Sequence, residues 1–242
     1  MPPTVLITRP EPYGAEFAAM LRAAHGAELR VIHSPVLAIE GQGALPDLEG
    51  FRWLVFTSRS GVRRFTALGG RRDIPAYAVG DATADEARRA GLNAISCKGD
   101  AQDLLARIRA DGAEGPMLHL RGAHAAADVA GALRAAGIDA REAVIYAQKP
   151  QPLSAEARAC LAGNASVIAP VFSPRSAAAL FASGVPAAPL VVLAISAAAA
   201  RVPEEAGICV IVAERPDAEA MLRAFPAALS AGNRLEGTKR AQ

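Results

Sequence analysis

Cysteine, histidine, lysine and aromatic residues are all scarce in this chain of 242 residues. The three cysteines (Cys97, Cys160, Cys209) are odd in number, widely spaced and without a CxxC, which excludes a disulfide framework or a zinc knuckle. The four histidines are His25, His33, His119 and His124. Only the last two are near each other, and they do not make the three or four ligands that a zinc site needs. Aromatics are 5% with Trp53 the single tryptophan, which speaks against a sugar-binding protein of the two-lobed type. Charge of one sign is lacking too: 26 basic against 24 acidic residues leave +2, no basis for a general nucleic-acid binder. The start, MPPTVLITRPEPYG, has no basic segment followed by an apolar one, so no signal peptide is expected. The charge-free run 176–200 is long enough for a membrane span. However, Gly184, Pro186 and Pro189 break it and LVVLAIS reads as a short buried strand. No GxGxxG opens a helix, and GxxxxGK[ST], HExxH and GxSxG are missing.

What is present is a globular composition, 52% hydrophobic, with 57 alanines, and 23 arginines against three lysines. Codon usage accounts for both biases, but an arginine facing a ligand is the better donor to carboxylates. Short β-branched runs alternate with alanine-rich helical stretches. Strands are expected at 4–8, 29–33, 53–56, 76–79, 94–97, 117–120, 144–147, 166–172, 190–195 and 208–213. Strand–helix alternation with near-continuous apolar strands implies parallel sheets covered on both faces. Ten strands divide better into two sheets than one. The tail 232–242 is polar and is expected to fray.

An internal repeat sets the division. Val55-Phe56-Thr57-Ser58-Arg59-Ser60 matches Val171-Phe172-Ser173-Pro174-Arg175-Ser176 at an offset of 116, continuing through Ala78-Val79-Gly80 and Ala194-Ile195-Ser196. Leu6-Ile7-Thr8-Arg9 matches Leu118-His119-Leu120-Arg121 at an offset of 112. With a two-strand unit A and a three-strand unit B, the chain order is A, B, A, B. One A with one B makes a five-stranded sheet of flavodoxin-like size. Pairing can be sequential, or crossed, with the middle B and A as an inserted domain. The extended segments Val36–Glu40 and Ala143–Gln148, one at each A-to-B junction, suit a two-stranded connector of the crossed form.

The chemistry candidates lie at strand-to-helix turns. Phe56-Thr57-Ser58-Arg59-Ser60-Gly61 and Phe172-Ser173-Pro174-Arg175-Ser176-Ala177 leave an apolar strand and enter a helix. Hydroxyls there cap the helix, and the unpaired amides with the helix dipole make an anion site. Arg9 and Arg121 sit at matching strand ends, and Val79-Gly80-Asp81-Ala82-Thr83-Ala84 is a third such turn. Hydroxyls, amides and arginines at strand ends call for a large acidic ligand. Asp81, Asp85, Asp100 and Asp128 form no acid–base pair and read as caps or solvated groups. His119 takes the slot of Ile7 and reads as an ordinary strand residue.

Val5-Leu6-Ile7-Thr8-Arg9-Pro10, Val55-Phe56-Thr57-Ser58, Ala78-Val79-Gly80-Asp81-Ala82-Thr83-Ala84, Val144-Ile145-Tyr146 and Phe172-Ser173-Pro174-Arg175-Ser176 together resemble the uroporphyrinogen-III synthase family over nearly the whole chain. The resemblance implies an α/β fold of two flavodoxin-like five-stranded parallel-sheet domains joined by a two-stranded β connector. The domains would be 1–35 with 151–235, and 45–142, with 36–40 and 143–150 as connector and the active site in the cleft. It implies hydroxymethylbilane, an acidic linear tetrapyrrole, as substrate. Ring closure with inversion of ring D and loss of water gives uroporphyrinogen III, with no cofactor and no metal. The implied catalytic residue is Tyr146, helping the ring A hydroxyl to leave. The implied substrate contacts are Arg9, Thr57, Ser58, Arg59, Gly80, Thr83, Arg121, Ser173, Arg175 and Ser196.

The family's Gly-Pro-Thr-Thr-Ala-like turn in the last B unit here reads Ser196-Ala197-Ala198-Ala199-Ala200, leaving Ser196 as its one polar side chain. That departure keeps open a second reading, a non-catalytic tetrapyrrole-binding or regulatory protein of the same fold. The expected setting is a cytoplasmic monomer touching neither nucleic acid nor membrane, with transient contact to the upstream hydroxymethylbilane synthase.

Overall fold

A computed structural model describes residues 3–125 and 127–240. Along the chain run β1 (Thr4–Ile7), α1 (Tyr13–His25), β2 (Val31–His33), β3 (Leu37–Gly41), β4 (Trp53–Phe56), α2 (Arg59–Ala67), β5 (Ala76–Ala78), α3 (Asp81–Arg89), β6 (Ala94–Ser96) and α4 (Ala101–Ala110). There follow β7 (Met117–Gly122), α5 (Val129–Ala135), β8 (Ala140–Pro150), α6 (Ala155–Leu161), β9 (Val167–Val171), α7 (Pro174–Phe181), β10 (Leu190–Ala194), α8 (Ala197–Glu205), β11 (Cys209–Val212) and α9 (Ala218–Arg240). The chain separates into two units: residues up to Ala38 together with those from Pro150 onward, and Ile39–Lys149.

The first unit holds a parallel sheet in the order β2-β1-β9-β10-β11. Its strands are apolar on both faces because both are covered. Val5 and Ile7 of β1 pack with Phe17 and Leu21 of α1 and Met221 and Phe225 of α9. Leu6, between them, faces Ala177 and Leu180 of α7 and Leu161 of α6. The expected fraying of the tail does not occur within the described residues, since α9 runs to Arg240. Leu235 packs on the core, and the buried Glu236 accepts a hydrogen bond from Ser166 Oγ at 3.2 Å. Ala241 and Gln242, also in that expectation, lie outside the described residues.

The second unit holds the order β3-β8-β7-β4-β5-β6. All neighbours from β8 to β6 are parallel. Leu54 and Phe56 of β4 pack with Val62 and Phe65 of α2, and Val55 faces Val129 and Leu133 of α5. The expectation of five strands fails here: this sheet has six. β8 is 11 residues long and runs on beyond its pairing with β7, and its far half takes β3 as partner. The Gln42 N–H donates to Ile145 O and the Gln151 N–H to Val36 O, so the two segments run antiparallel.

The repeat also needs a correction. Val5 pairs with Ile168 and Met117 with Trp53. Val5 and Met117 are equivalent at the offset of 112, so Trp53 corresponds to Ile168 at an offset of 115, not 116. The matching caps are therefore Ser58 and Ser173, while Thr57 corresponds to Phe172. Farther on, the Cys97 N–H donates to Ala78 O and the Ala213 N–H to Ala194 O, which restores 116. The extra residue lies between α7 and β10, in connecting chain that absorbs insertions at little cost. Aligned this way, β8-β7-β4-β5-β6 has the same spatial order as β2-β1-β9-β10-β11, with the chain entering the two sheets at different strands.

Candidate functional site

Each sheet reverses its winding once, between β1 and β9 in the first unit and between β7 and β4 in the second. Helices leaving the two strands go to opposite faces: α2 covers one side of the second sheet and α5 the other. Such a switch point opens a crevice at the carboxyl ends of the strands, where open α/β sheets bind ligands.

In the second unit that crevice holds a tyrosine. Ser58 is extended (φ −158°, ψ 151°) and caps α2, its Oγ accepting from the Gly61 N–H at 3.1 Å. The same Oγ lies 2.8 Å from the hydroxyl of Tyr146 on β8. A bulge aims that side chain. Arg121 pairs with Val144 but Gly122 with Tyr146, so β8 carries one extra residue at this point. Gly122 then lets the ring approach: a Cβ there would lie 2.6 Å from Cζ of Tyr146. Tyr146 is 7% exposed, with its ring in the core beside Leu120 and Ile145. Burial pushes its pKa above the usual 10, and its hydrogen bonds with Ser58 and the Gly122 backbone pull the other way. The phenol is therefore protonated, a group suited to giving a hydrogen bond or a proton.

Thr57, one residue earlier, places Oγ1 3.1 Å from Nε2 of His119 on β7. His119 is 1% exposed, and burial pushes its pKa down to about 4, so it is neutral at ordinary pH. Arg121, at the end of β7, donates through Nη2 and Nε to the two carboxylate oxygens of Glu142 at 2.6 and 2.9 Å. It also donates to the carbonyl of Gly122. A ligand reaching Arg121 has to share it with Glu142. At the next turn Gly80 caps α3 without a side chain, and Thr83 is buried in the helix's first turn.

The first unit presents a different set. The Arg9 guanidinium stacks on Phe172 at 4.1 Å and lies 5.4 Å from the Tyr13 ring. Ser173 caps α7, accepting from the Ser176 N–H at 3.1 Å, and Arg175 follows in the first turn. Ser196 caps α8 with its Oγ 3.4 Å from the Ala199 nitrogen, so the alanine turn keeps its helix start. Of the sequence candidates, Thr57, Ser58 and Tyr146 come together with Arg59 at the start of α2. Gly80 and Thr83 stand one strand along, after β5. Arg9, Ser173, Arg175 and Ser196 belong to the first unit. Sequence reasoning missed Gly122, which carries no motif. It set His119 aside, although a histidine in the slot of Ile7 inside a buried strand was a usable signal. Among the described residues no three His, Cys, Asp or Glu side chains gather as a metal-ligand group, and no helix is long and apolar enough to cross a membrane.

Two expected results follow from the caps and the ion pair. Ser58→Ala removes one of the bonds that start α2, and urea unfolding should show a loss of about 1 kcal/mol. An unchanged unfolding midpoint would contradict the capping role. Glu142 is held below the ordinary carboxylate value of 4.5, mainly by its hydrogen bonds from Arg121. A depressed folded pKa stabilises above the unfolded value, and the gain disappears as pH falls. Glu142→Gln should therefore melt earlier than the parent at pH 7, with the two melting curves converging below about pH 4. A gap that stays constant down to about pH 3 would exclude the ion pair as its source.

With the geometry in hand, three comparisons bear on the whole chain. The family model of uroporphyrinogen-III synthase HemD matches residues 16–223. The crystal structure of uroporphyrinogen-III synthetase from Helicobacter pylori 26695 is similar, at 20% identity over 94% of this chain and 99% of that one, with a TM-score of 0.68. A mutant uroporphyrinogen III synthase from the extremely thermophilic bacterium Thermus thermophilus is similar at 17% identity over 94% and 99%, with a TM-score of 0.53. No curated protein sequence matches significantly. The structural likenesses speak for the fold.

Proposed function

The chain belongs to the uroporphyrinogen-III synthase HemD family, and from that premise we propose that Tyr146 is the acid of its ring closure, with the crevice between β7 and β4 as the place where the reacting end of the substrate is held. The substrate is hydroxymethylbilane, a linear tetrapyrrole with eight carboxylates. The observation that carries this reading is the contact of the protonated Tyr146 with Ser58 at 2.8 Å, above Gly122.

In this reading the Tyr146 O–H gives its proton to the ring A hydroxyl as the C–O bond breaks and water leaves. Ser58 O–H and the Gly122 N–H face the phenolic oxygen as it gains negative charge, which favours the transfer. The resulting azafulvene is attacked by the substituted carbon of ring D. The spiro intermediate fragments and recloses at the free carbon, and the proton lost as the pyrrole regains aromaticity returns the phenol to its starting state. The products are uroporphyrinogen III and water.

Unaided closure of the same substrate gives the other isomer, so the main task is to fix its conformation. Hydroxyls and helix-start amides at Thr57, Ser58 and Arg59, with Gly80 and Thr83 one strand along, suit that task in the second unit. Arg9, Arg121, Ser173, Arg175 and Ser196 are further carboxylate partners in this reading. Arg9 would act from its stack on Phe172, and Arg121 through a share of Glu142.

The test is incubation of the purified protein with fresh hydroxymethylbilane, oxidation, and chromatographic separation of the porphyrin isomers. A large excess of type III over the protein-free control supports the reading. Only type I at the spontaneous rate, from folded protein, overturns it in favour of a binding protein.

A further inference from the structure

We infer that His119 is a positioning residue of this reaction: from inside β7 its Nε2–H bonds Thr57 Oγ1 and so turns the Thr57 hydroxyl into a donor aimed at the substrate. The inference rests on the reading above of the β7–β4 crevice.

The sheet itself supplies the first argument. The position equivalent to His119 is Ile7, 1% exposed in an apolar core, and the position equivalent to Thr57 is Phe172. The same strand pair in the same spatial order is thus built from two apolar residues in the first unit. The architecture needs no imidazole here. Burying one costs free energy for each polar atom left without a partner, and His119 recovers a single hydrogen bond. Such a pair of polar residues, at the end of the strand that also leads to Ser58, is explained by the site rather than by the core.

The second argument fixes the direction of the bond. Among the described residues His119 Nδ1 is buried and has no hydrogen-bond partner. A neutral imidazole carries one proton. If it sat on Nδ1, a donor would be buried unpaired, which is rarer and more costly than a bare lone pair. The proton therefore belongs on Nε2, and Nε2–H donates to Thr57 Oγ1. The hydroxyl oxygen is then an acceptor in its only bond among the described residues, and its own proton is left to seek an acceptor. Thr57 is half-buried, so that proton can reach a ligand. A substrate carboxylate is the acceptor the chemistry offers.

The charges facing His119 are Glu142 and Asp128, which favour its cation, and Arg121, which opposes it. Burial outweighs them, and the neutral form holds down to a pH of about 4. One tautomer of one charge state can therefore hold the Thr57 hydroxyl in one orientation across the working range.

The experiment has two arms. In the first, 15N NMR of the substrate-free protein reads the tautomer of His119: the Nε2–H form at neutral pH is expected, and the Nδ1–H form would overturn the inference whatever the enzyme does. In the second, His119→Ile, the residue its twin strand already uses, is assayed beside His119→Gln, whose terminal amide can donate where Nε2–H did. The isoleucine variant should keep its melting temperature within a few degrees and raise the KM for hydroxymethylbilane about tenfold, the value of one charge-assisted hydrogen bond. The glutamine variant should recover most of that loss. Adding His119→Ile to Thr57→Val should cost nothing further. Unchanged KM and kcat in His119→Ile would overturn the inference. A wild-type protein that makes no type III isomer would instead overturn the function reading, with the NMR result still separately legible.

Discussion

Replacing Tyr146 by phenylalanine should lower the rate of type III formation by about 10²- to 10⁴-fold, the range for loss of a general acid. The ring stays, with the same apolar neighbours, and only the hydroxyl goes. Ser58 keeps its bond to the Gly61 N–H, so the cap of α2 survives. The stability cost should be about 1–3 kcal/mol, that of the two hydrogen bonds the hydroxyl makes, with Ser58 and the Gly122 backbone. The split between a small stability change and a large rate change distinguishes an acid from a packing residue. Because the substrate also closes unaided, the product ratio is a second readout, moving toward type I as the catalysed route slows. The phenol's pKa is raised above 10, so no titration of Tyr146 should appear in the wild-type rate below that pH. A variant within about threefold of wild type would remove Tyr146 from the mechanism.

Gly122→Ala is expected to damage catalysis although the glycine has no side chain to offer the reaction. Its Cβ would lie 2.6 Å from Cζ of Tyr146, 2.7 Å from Cε2 and 3.0 Å from the hydroxyl. Separations that short do not persist, and the ring is the part that can move. Swinging it away by about 1 Å takes the hydroxyl from Ser58, and misplacement on that scale costs about 10²-fold in rate. The overpacking itself should cost about 1–3 kcal/mol. Combining the change with Tyr146→Phe gives the check: if Gly122 acts through the tyrosine, the double variant is no slower than Tyr146→Phe alone. Additive losses would mean that Gly122 serves the substrate directly.

The alternation of apolar strands with alanine-rich helices was legible because parallel strands buried on both faces have no polar side to disguise them. β1, β4 and β10 stand where the sequence puts them. Several helix starts were legible too, since serine and aspartate before an apolar run have one dominant use; Ser58, Asp100, Asp128 and Ser173 all cap. The repeat was legible in kind but off by one residue at the first turn. Matching letters aligned Thr57 with Ser173, whereas strand pairing aligns Ser58 with it, because hydrogen-bond register, not residue likeness, decides which positions are equivalent. The pairing of β3 with β8 was legible as a two-stranded connector of Val36–Glu40 with Ala143–Gln148. That β8 also lies along β7, which makes β3 a sixth strand of the same sheet, was hidden, because a connector and an edge strand are the same apolar, extended run until the partner is known.

Short-range chemistry was therefore enough to establish the α/β class, the caps, the lack of a spaced metal-ligand or nucleophile motif, and a family pattern strong enough to point to Tyr146. Whatever depends on residues far apart in the chain came only with folding. A bulge between β7 and β8 brings Tyr146 over Gly122 from the neighbouring strand, and β4 beside β7 sets Thr57 against His119, 62 positions away. Periodicity and propensity act over a few residues, but the direction of a side chain at a strand end is set by pairing register, and register exists only once the strands have met.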